Sequence, residues 1–70
     1  MIVFIKTEPI KISQLLKLAG HLQNGGDVKA FIEENKLFLN GQLVTQRGKK
    51  VKSGDEVLLV GFEPITVAMR

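Results

Sequence analysis

The sequence of 70 residues has no cysteine, no tryptophan and no tyrosine, one histidine and two prolines. Without cysteine, neither a disulfide framework nor a thiolate metal site is open to it. A chain this short buries only about 60% of the surface it exposes when unfolded, so it builds one small domain with a thin stability margin. Its apolar runs extend for only a few residues, far below the length of a membrane span. The opening MIVFIKTEPI has no charged region ahead of its apolar patch and no small-residue cleavage site, unlike a secretory signal. The expectation is a soluble, cytoplasmic domain with no membrane partner.

Reactive groups are as sparse. His21 follows Gly20 at the end of a helical pattern, where a histidine usually meets the last carbonyls and the helix dipole. There is no paired histidine–acid motif and no metal-ligand spacing. Ser13 and Ser53 stand at cap and turn positions, where serine serves the backbone. Glu33 and Glu34 fall on the outer face of a short helix. These readings predict no catalytic residue, no metal and no cofactor, and hence not an enzyme.

Aromatic residues are limited to Phe4, Phe31, Phe38 and Phe62. Phe31 reads as core, Phe4 and Phe62 sit in strand patterns, and only Phe38 is left for an exposed face. A stacking platform for single-stranded bases is therefore poorly supported. Positive charge is better represented. The formal net charge is +3, and no acid stands between Glu34 and Asp55, whereas Lys36, Arg47, Lys49, Lys50 and Lys52 fall in that interval. Such a run is usually a solvated surface; joined to Lys11, Lys17 and Lys29 on neighbouring helices, it becomes the electrostatic footprint of a nucleic-acid binder.

Periodicity gives the order of elements. IVFIK at residues 2–6 is β-branched and aromatic and reads as a strand. Ile12, Leu15, Leu16, Ala19 and Leu22 follow helical spacing, with Ser13 as N-cap and Gly20 as stop. Val28, Phe31 and Ile32 give a second helix, supported by Lys29 and Glu33 four apart and ended by Asn35 in the left-handed region. SGD at 53–55 marks a turn, and VLLVGF and ITVAM read as strands separated at Gly61. The fold class is α+β, with a two-helix unit packed on a small, mostly antiparallel sheet of short strands.

Asn-Gly occurs twice, and the flanks assign different roles to the two pairs. Asn40-Gly41 lies between LFL and QLV, so it predicts a two-residue β-turn. Asn24-Gly25 has helical periodicity on both sides and predicts a helix–helix connection, with Gly25 and Gly26 in the first turn of the second helix. Glycines there leave the first N–H groups open to a phosphate. The alternative is that they only allow a sharp turn, and the charge of Asp27 opposes a phosphate at that spot.

KISQLLKLAG, VKAFI, LFLNGQLV and SGDEV, in that order, resemble the alpha-L RNA-binding motif, the domain named after the fourth small-subunit ribosomal protein. The likeness spans residues 11 to 57. Lys11, Ile12 and Ser13 stand where that family has Arg, Leu and Asp, and Lys29 stands at the arginine of its second helix. Asn24-Gly25 replaces the family's Ser-Arg, removing an RNA-contacting arginine, and Asn35 replaces a glycine. Short stand-alone bacterial members of the YaaA type are more similar still, because Thr45, Arg47, Gly48, Lys49 and Lys50 fit their hairpin. The resemblance implies RNA binding and ribosome association but names no RNA; joined to the sparse aromatics and reactive groups, it makes the expectation a non-catalytic module for structured RNA, with ribosomal or transfer RNA as the expected partner. The charge pattern, the glycine-marked helix start and the resemblance together give the expected RNA-binding residues as Lys11, Lys17, Gly25, Gly26, Lys29, Asn40, Thr45, Arg47, Lys49 and Lys50. The competing expectation is a protein partner taken by strand addition at a sheet edge or along VLLVGFEPITVAM.

Overall fold

The computed structural model describes residues 1–23 and 27–70. The first strand, β1 (Ile2–Ile5), is followed by a two-residue strand β2 (Ile10–Lys11) and helix α1 (Ile12–Leu18). Helix α2 (Asp27–Glu33) leads to β3 (Leu37–Leu39) and β4 (Gln42–Leu43). The chain ends with β5 (Lys50–Val51), β6 (Glu56–Leu59) and β7 (Ile65–Met69). Five strands form one sheet in the order β1-β7-β6-β3-β4, and β2 pairs with β5 in a separate ribbon. All pairs are antiparallel except β1 with β7.

Alternation decides which face of the sheet is covered. Val3, Ile5, Leu37, Leu39, Val57, Leu59, Ile65 and Val67 are buried on one face. Register aligns them, with Val3 opposite Val67, Val57 opposite Ile65 and Leu37 opposite Leu59. Onto that face α1 packs Ile12, Leu15 and Leu16, each fully buried, and α2 adds Val28. A buried side chain of this kind contributes about 1.5–3 kcal/mol, so these contacts set the fold far more than the short helices do on their own.

Backbone termini are closed locally. α1 ends in a Schellman arrangement: Gly20 has φ +79°, its N–H reaches the Lys17 carbonyl at 3.0 Å, and the His21 N–H reaches the Leu16 carbonyl at 2.9 Å. α2 repeats the device with Asn35 at φ +57° and the Lys36 N–H on the Phe31 carbonyl at 3.0 Å. The left-handed asparagine expected from the sequence is therefore present. Asn40 and Gly41, at φ +50° and +81°, join β3 to β4 as a two-residue hairpin turn, again as expected.

Other expectations need correction. Ser13 lies inside α1; Lys11 holds the N-cap position in extended backbone, and its N–H donates to Gln14 Oε1 at 3.1 Å. Leu22 is buried but lies beyond the helix, whose left-handed stop turns it back to the core. Phe62 belongs to the turn between β6 and β7, where its N–H meets the Leu59 carbonyl at 2.9 Å, and Phe4 projects outward at 54% exposure. Both strands of VLLVGFEPITVAM are interior to the sheet, so this segment has no free edge for a partner strand; the open edges are β1 and β4. The linker reading of Asn24-Gly25 lies outside the described residues.

Candidate nucleic-acid interface

The interface begins with the Asn40-Gly41 turn and a buried acid. Asp55, 8% exposed, receives the Asn40 amide (Nδ2 to Oδ1, 3.0 Å) and the Lys52 N–H (to Oδ2, 2.9 Å). The Asn40 Oδ1 in turn accepts the Glu56 N–H at 2.8 Å. One carboxylate thus ties the β3–β4 turn to the segment entering β6. Burial pushes the Asp55 carboxyl upward, but the Lys52 N–H, the Asn40 amide and the charges of Lys52 and Lys49 outweigh it and hold the group below its usual range. The Lys52 ammonium stands 3.9 Å away, a long contact that contributes charge rather than a fixed bond.

Beside this lock lies an open cleft of about 620 Å³. Asn40, Thr45, Lys49 and Lys50, all expected at the binding site, line it together with Gln42, Gln46 and Lys52. Three lysines thus face one carboxylate that is already engaged inside the protein. The Asn40 amide is engaged at both ends, with Asp55 and Glu56, so it shapes the cleft wall. Gln42, Gln46 and Lys52 were not singled out in the sequence. Lys52 was visible in the charge run, whereas the glutamines gave no signal.

The small ribbon sets the charge geometry. Lys11 on β2 stands directly opposite Lys50 on β5, and both are exposed. Next along the ribbon, the Ile12 N–H donates to the Lys49 carbonyl at 2.8 Å, which marks that position as hydrogen-bonded. Alternation in an antiparallel pair makes Lys11–Lys50 a non-hydrogen-bonded position, where opposing Cα atoms approach to about 4.5 Å and side chains are closest. Like charges placed there are unfavourable. Neither lysine takes part in the ion pairs formed among the described residues, which join Met1 with Glu63, Lys36 with Glu34 and Lys52 with Asp55.

The remaining expected residues among those described do not line this cleft. Arg47 is exposed in the turn closed by the Lys49 N–H on the Gln46 carbonyl at 3.2 Å. Lys17 is exposed on α1 and lines a different recess, with Gln14 and Ile10. Lys29 is exposed on α2 and lies outside both cavities, without the Glu33 ion pair expected for it. Gly25 and Gly26 fall outside the described residues.

Two further groups have structural partners. Glu8 accepts the Ser53 N–H at 2.8 Å, and that bond, with the Ser53 hydroxyl, holds its carboxyl below the usual range. This contact ties the segment before β2 to the turn after β5. The His21 ring nitrogen Nε2 lies 3.0 Å from the Glu63 carbonyl, and the ring centroid is 4.9 Å from that of Phe62. Its contact is thus across the fold, where the sequence suggested the carbonyls of its own helix. Among the described residues, no cluster of three histidine, aspartate or glutamate side chains could hold a metal ion, and no helix is long and apolar enough to cross a membrane.

Comparison with known proteins agrees with this architecture. The chain is similar to the probable ribosome maturation protein RlbA of Bacillus subtilis (strain 168), with 40% identity over 60 residues, 86% of this chain and 84% of that protein. A match to the family described as S4 domain runs over residues 3–68, which takes in all of the sheet except the outermost positions. The likeness seen in residues 11 to 57 therefore extends to both flanking strands, and the chain belongs to the S4 domain family.

Proposed function

We propose that this chain is a non-catalytic, cytoplasmic RNA-binding module that grips structured RNA by its phosphates and acts at the ribosome. The observation that carries the reading is the Lys11–Lys50 pair. Two lysines occupy directly opposed cross-strand positions, beside a cleft lined by Lys49, Lys50 and Lys52. Such an arrangement costs stability in the free protein and becomes favourable when an anion lies between the charges. A phosphate ridge supplies that anion. Lys11, Lys49 and Lys50 would form the centre of the contact, Arg47 and Thr45 one flank, and Lys17 and Lys29 the other. Membership of the S4 domain family supports RNA as the partner, and the name of the Bacillus relative supports a ribosomal setting.

The test is a titration of fluorescently labelled structured ribosomal RNA fragments at several salt concentrations. With about five phosphates neutralised, log K falls against log salt with a slope near −3.5 to −4.5. The double variant Lys11→Gln/Lys50→Gln should weaken binding and make the slope shallower by about 1.4–1.8 while retaining the fold. An affinity independent of salt, or a double variant that binds as well as the wild type, overturns the reading.

A further inference from the structure

A second recess of about 700 Å³ runs along the outer edge of the sheet, between β1 and α1. Phe4, Lys6, Thr7, Lys17, Leu18 and Arg70 line it, and none of its lining residues is acidic. Phe4 and Leu18 are 54% and 61% exposed; alternation along β1 turns Phe4 to the sheet face opposite α1, so it lines the recess from its rim, across the sheet edge from Leu18. None of Lys6, Lys17 and Arg70 enters an ion pair among the described residues. Pro9 lines the first cleft while Thr7 and Ile10 line this one, so the segment around residues 7–10 is a wall common to both. Lys11 follows that wall in the chain and lines neither cavity.

The lining defines the ligand by its chemistry. It must carry negative charge for three unpaired cations and a flat apolar surface for the Phe4 ring. An apolar protein partner would desolvate the cations without a counter-charge, at heavy cost. An unpaired nucleotide brings a phosphate and a base together: the base stacks on the aromatic ring, and the backbone meets lysine and arginine. The Thr7 hydroxyl and the Gln14 amide supply hydrogen-bonding groups at the same surface. We infer that this recess takes single-stranded RNA continuing from the structured RNA held at the first cleft. The inference rests on the RNA-binding reading above and adds a second subsite to it.

The experiment uses the full chain and two labelled probes, a blunt RNA hairpin and the same hairpin extended by about ten unpaired uridines. In the wild type the extension should raise affinity roughly tenfold, the effect of stacking a base on an aromatic ring. It should also steepen the salt slope by about 1.4, from the two further phosphates that Lys6 and Arg70 would meet on single-stranded RNA. Phe4→Ala and the double variant Lys6→Gln/Arg70→Gln should lose the gain from the extension while binding the blunt hairpin as the wild type does. Thermal melts of both variants check that the fold is retained. If the blunt hairpin binds and the extension adds nothing, or adds equally in the variants, the subsite is refuted and an acidic protein segment becomes the better occupant. If neither probe binds, the RNA-binding reading fails and the subsite fails with it.

Discussion

Replacing Asp55 by alanine tests the contact on which the shape of the charged cleft depends. The wild-type carboxylate accepts the Asn40 amide at 3.0 Å and the Lys52 N–H at 2.9 Å, and is 8% exposed. A hydrogen bond to a charged group contributes about 1.5–3 kcal/mol, so two are worth roughly 3–6 kcal/mol. Removing the carboxylate also removes its burial cost, which brings the expected net loss to about 2–4 kcal/mol. A domain of this length has only about 3.5–10 kcal/mol of total stability. The loss corresponds to a fall in Tm of roughly 10–25 °C, since about 1 kcal/mol moves a domain of this size by 4–8 °C.

Acid provides a second, independent readout of the same residue. The Asp55 carboxyl is held below its usual range, so the folded state favours the ionised form. Its contribution is complete above the ordinary aspartate value of about 3.9 and disappears as pH falls through the lower folded value. Urea unfolding followed by circular dichroism should therefore show a wide gap between wild type and Asp55→Ala at neutral pH that narrows in strong acid. A gap below about 1 kcal/mol at neutral pH refutes the lock. So does a wide gap that is unchanged between neutral and acid conditions, because the stabilisation would then not reside in the charge.

Two smaller perturbations address the turn and the charged ribbon. Gly41 has φ +81° with open space where a Cβ would stand, so Gly41→Ala should cost about 1–2 kcal/mol from backbone strain alone. A thermal melt indistinguishable from wild type would show that the turn relaxes freely. Lys50→Glu puts a carboxylate opposite Lys11 and should raise stability by about 0.2–1 kcal/mol while weakening RNA binding in the same titration. Loss of stability in that variant would mean that the two lysines do not oppose each other.

The elements that the sequence made legible are those whose signal is local. Short apolar runs rich in β-branched and aromatic residues announced β1, β3, β6 and β7, and register then placed their buried faces together. Gly20, Asn35 and Asn40-Gly41 stood out because few residues accept positive φ, and each has it. The ribbon of β2 and β5 could not be read in the same way. Two residues per strand show no period, and Lys11 looked like the opening of a helix because it immediately precedes one. The N-cap was misplaced for a related reason: serine is the usual cap, yet tertiary pairing with β5 fixed Lys11 in extended backbone and passed the start of the helix to Ile12.

The candidate site divides along the same line. Charge was visible as composition, since Lys49, Lys50 and Lys52 stand almost consecutively, but their relation to Lys11 required a contact across about forty residues of chain that no local pattern encodes. Asn40 shows the converse. Its place in the hairpin turn was legible, whereas the partners of its amide, Asp55 and Glu56, were not. The two residues therefore separate in physical terms. Asn40 and Asp55 satisfy one another and lower the energy of the free domain, so their loss should appear first as instability. Lys11 and Lys50 are like charges at opposed positions, which an antiparallel pair disfavours, and the proposed function gives that arrangement a reason in an anion between them. A residue that improves the isolated fold belongs to the scaffold; a pair that burdens it, at a cleft of matching charge, points to a ligand of the opposite sign.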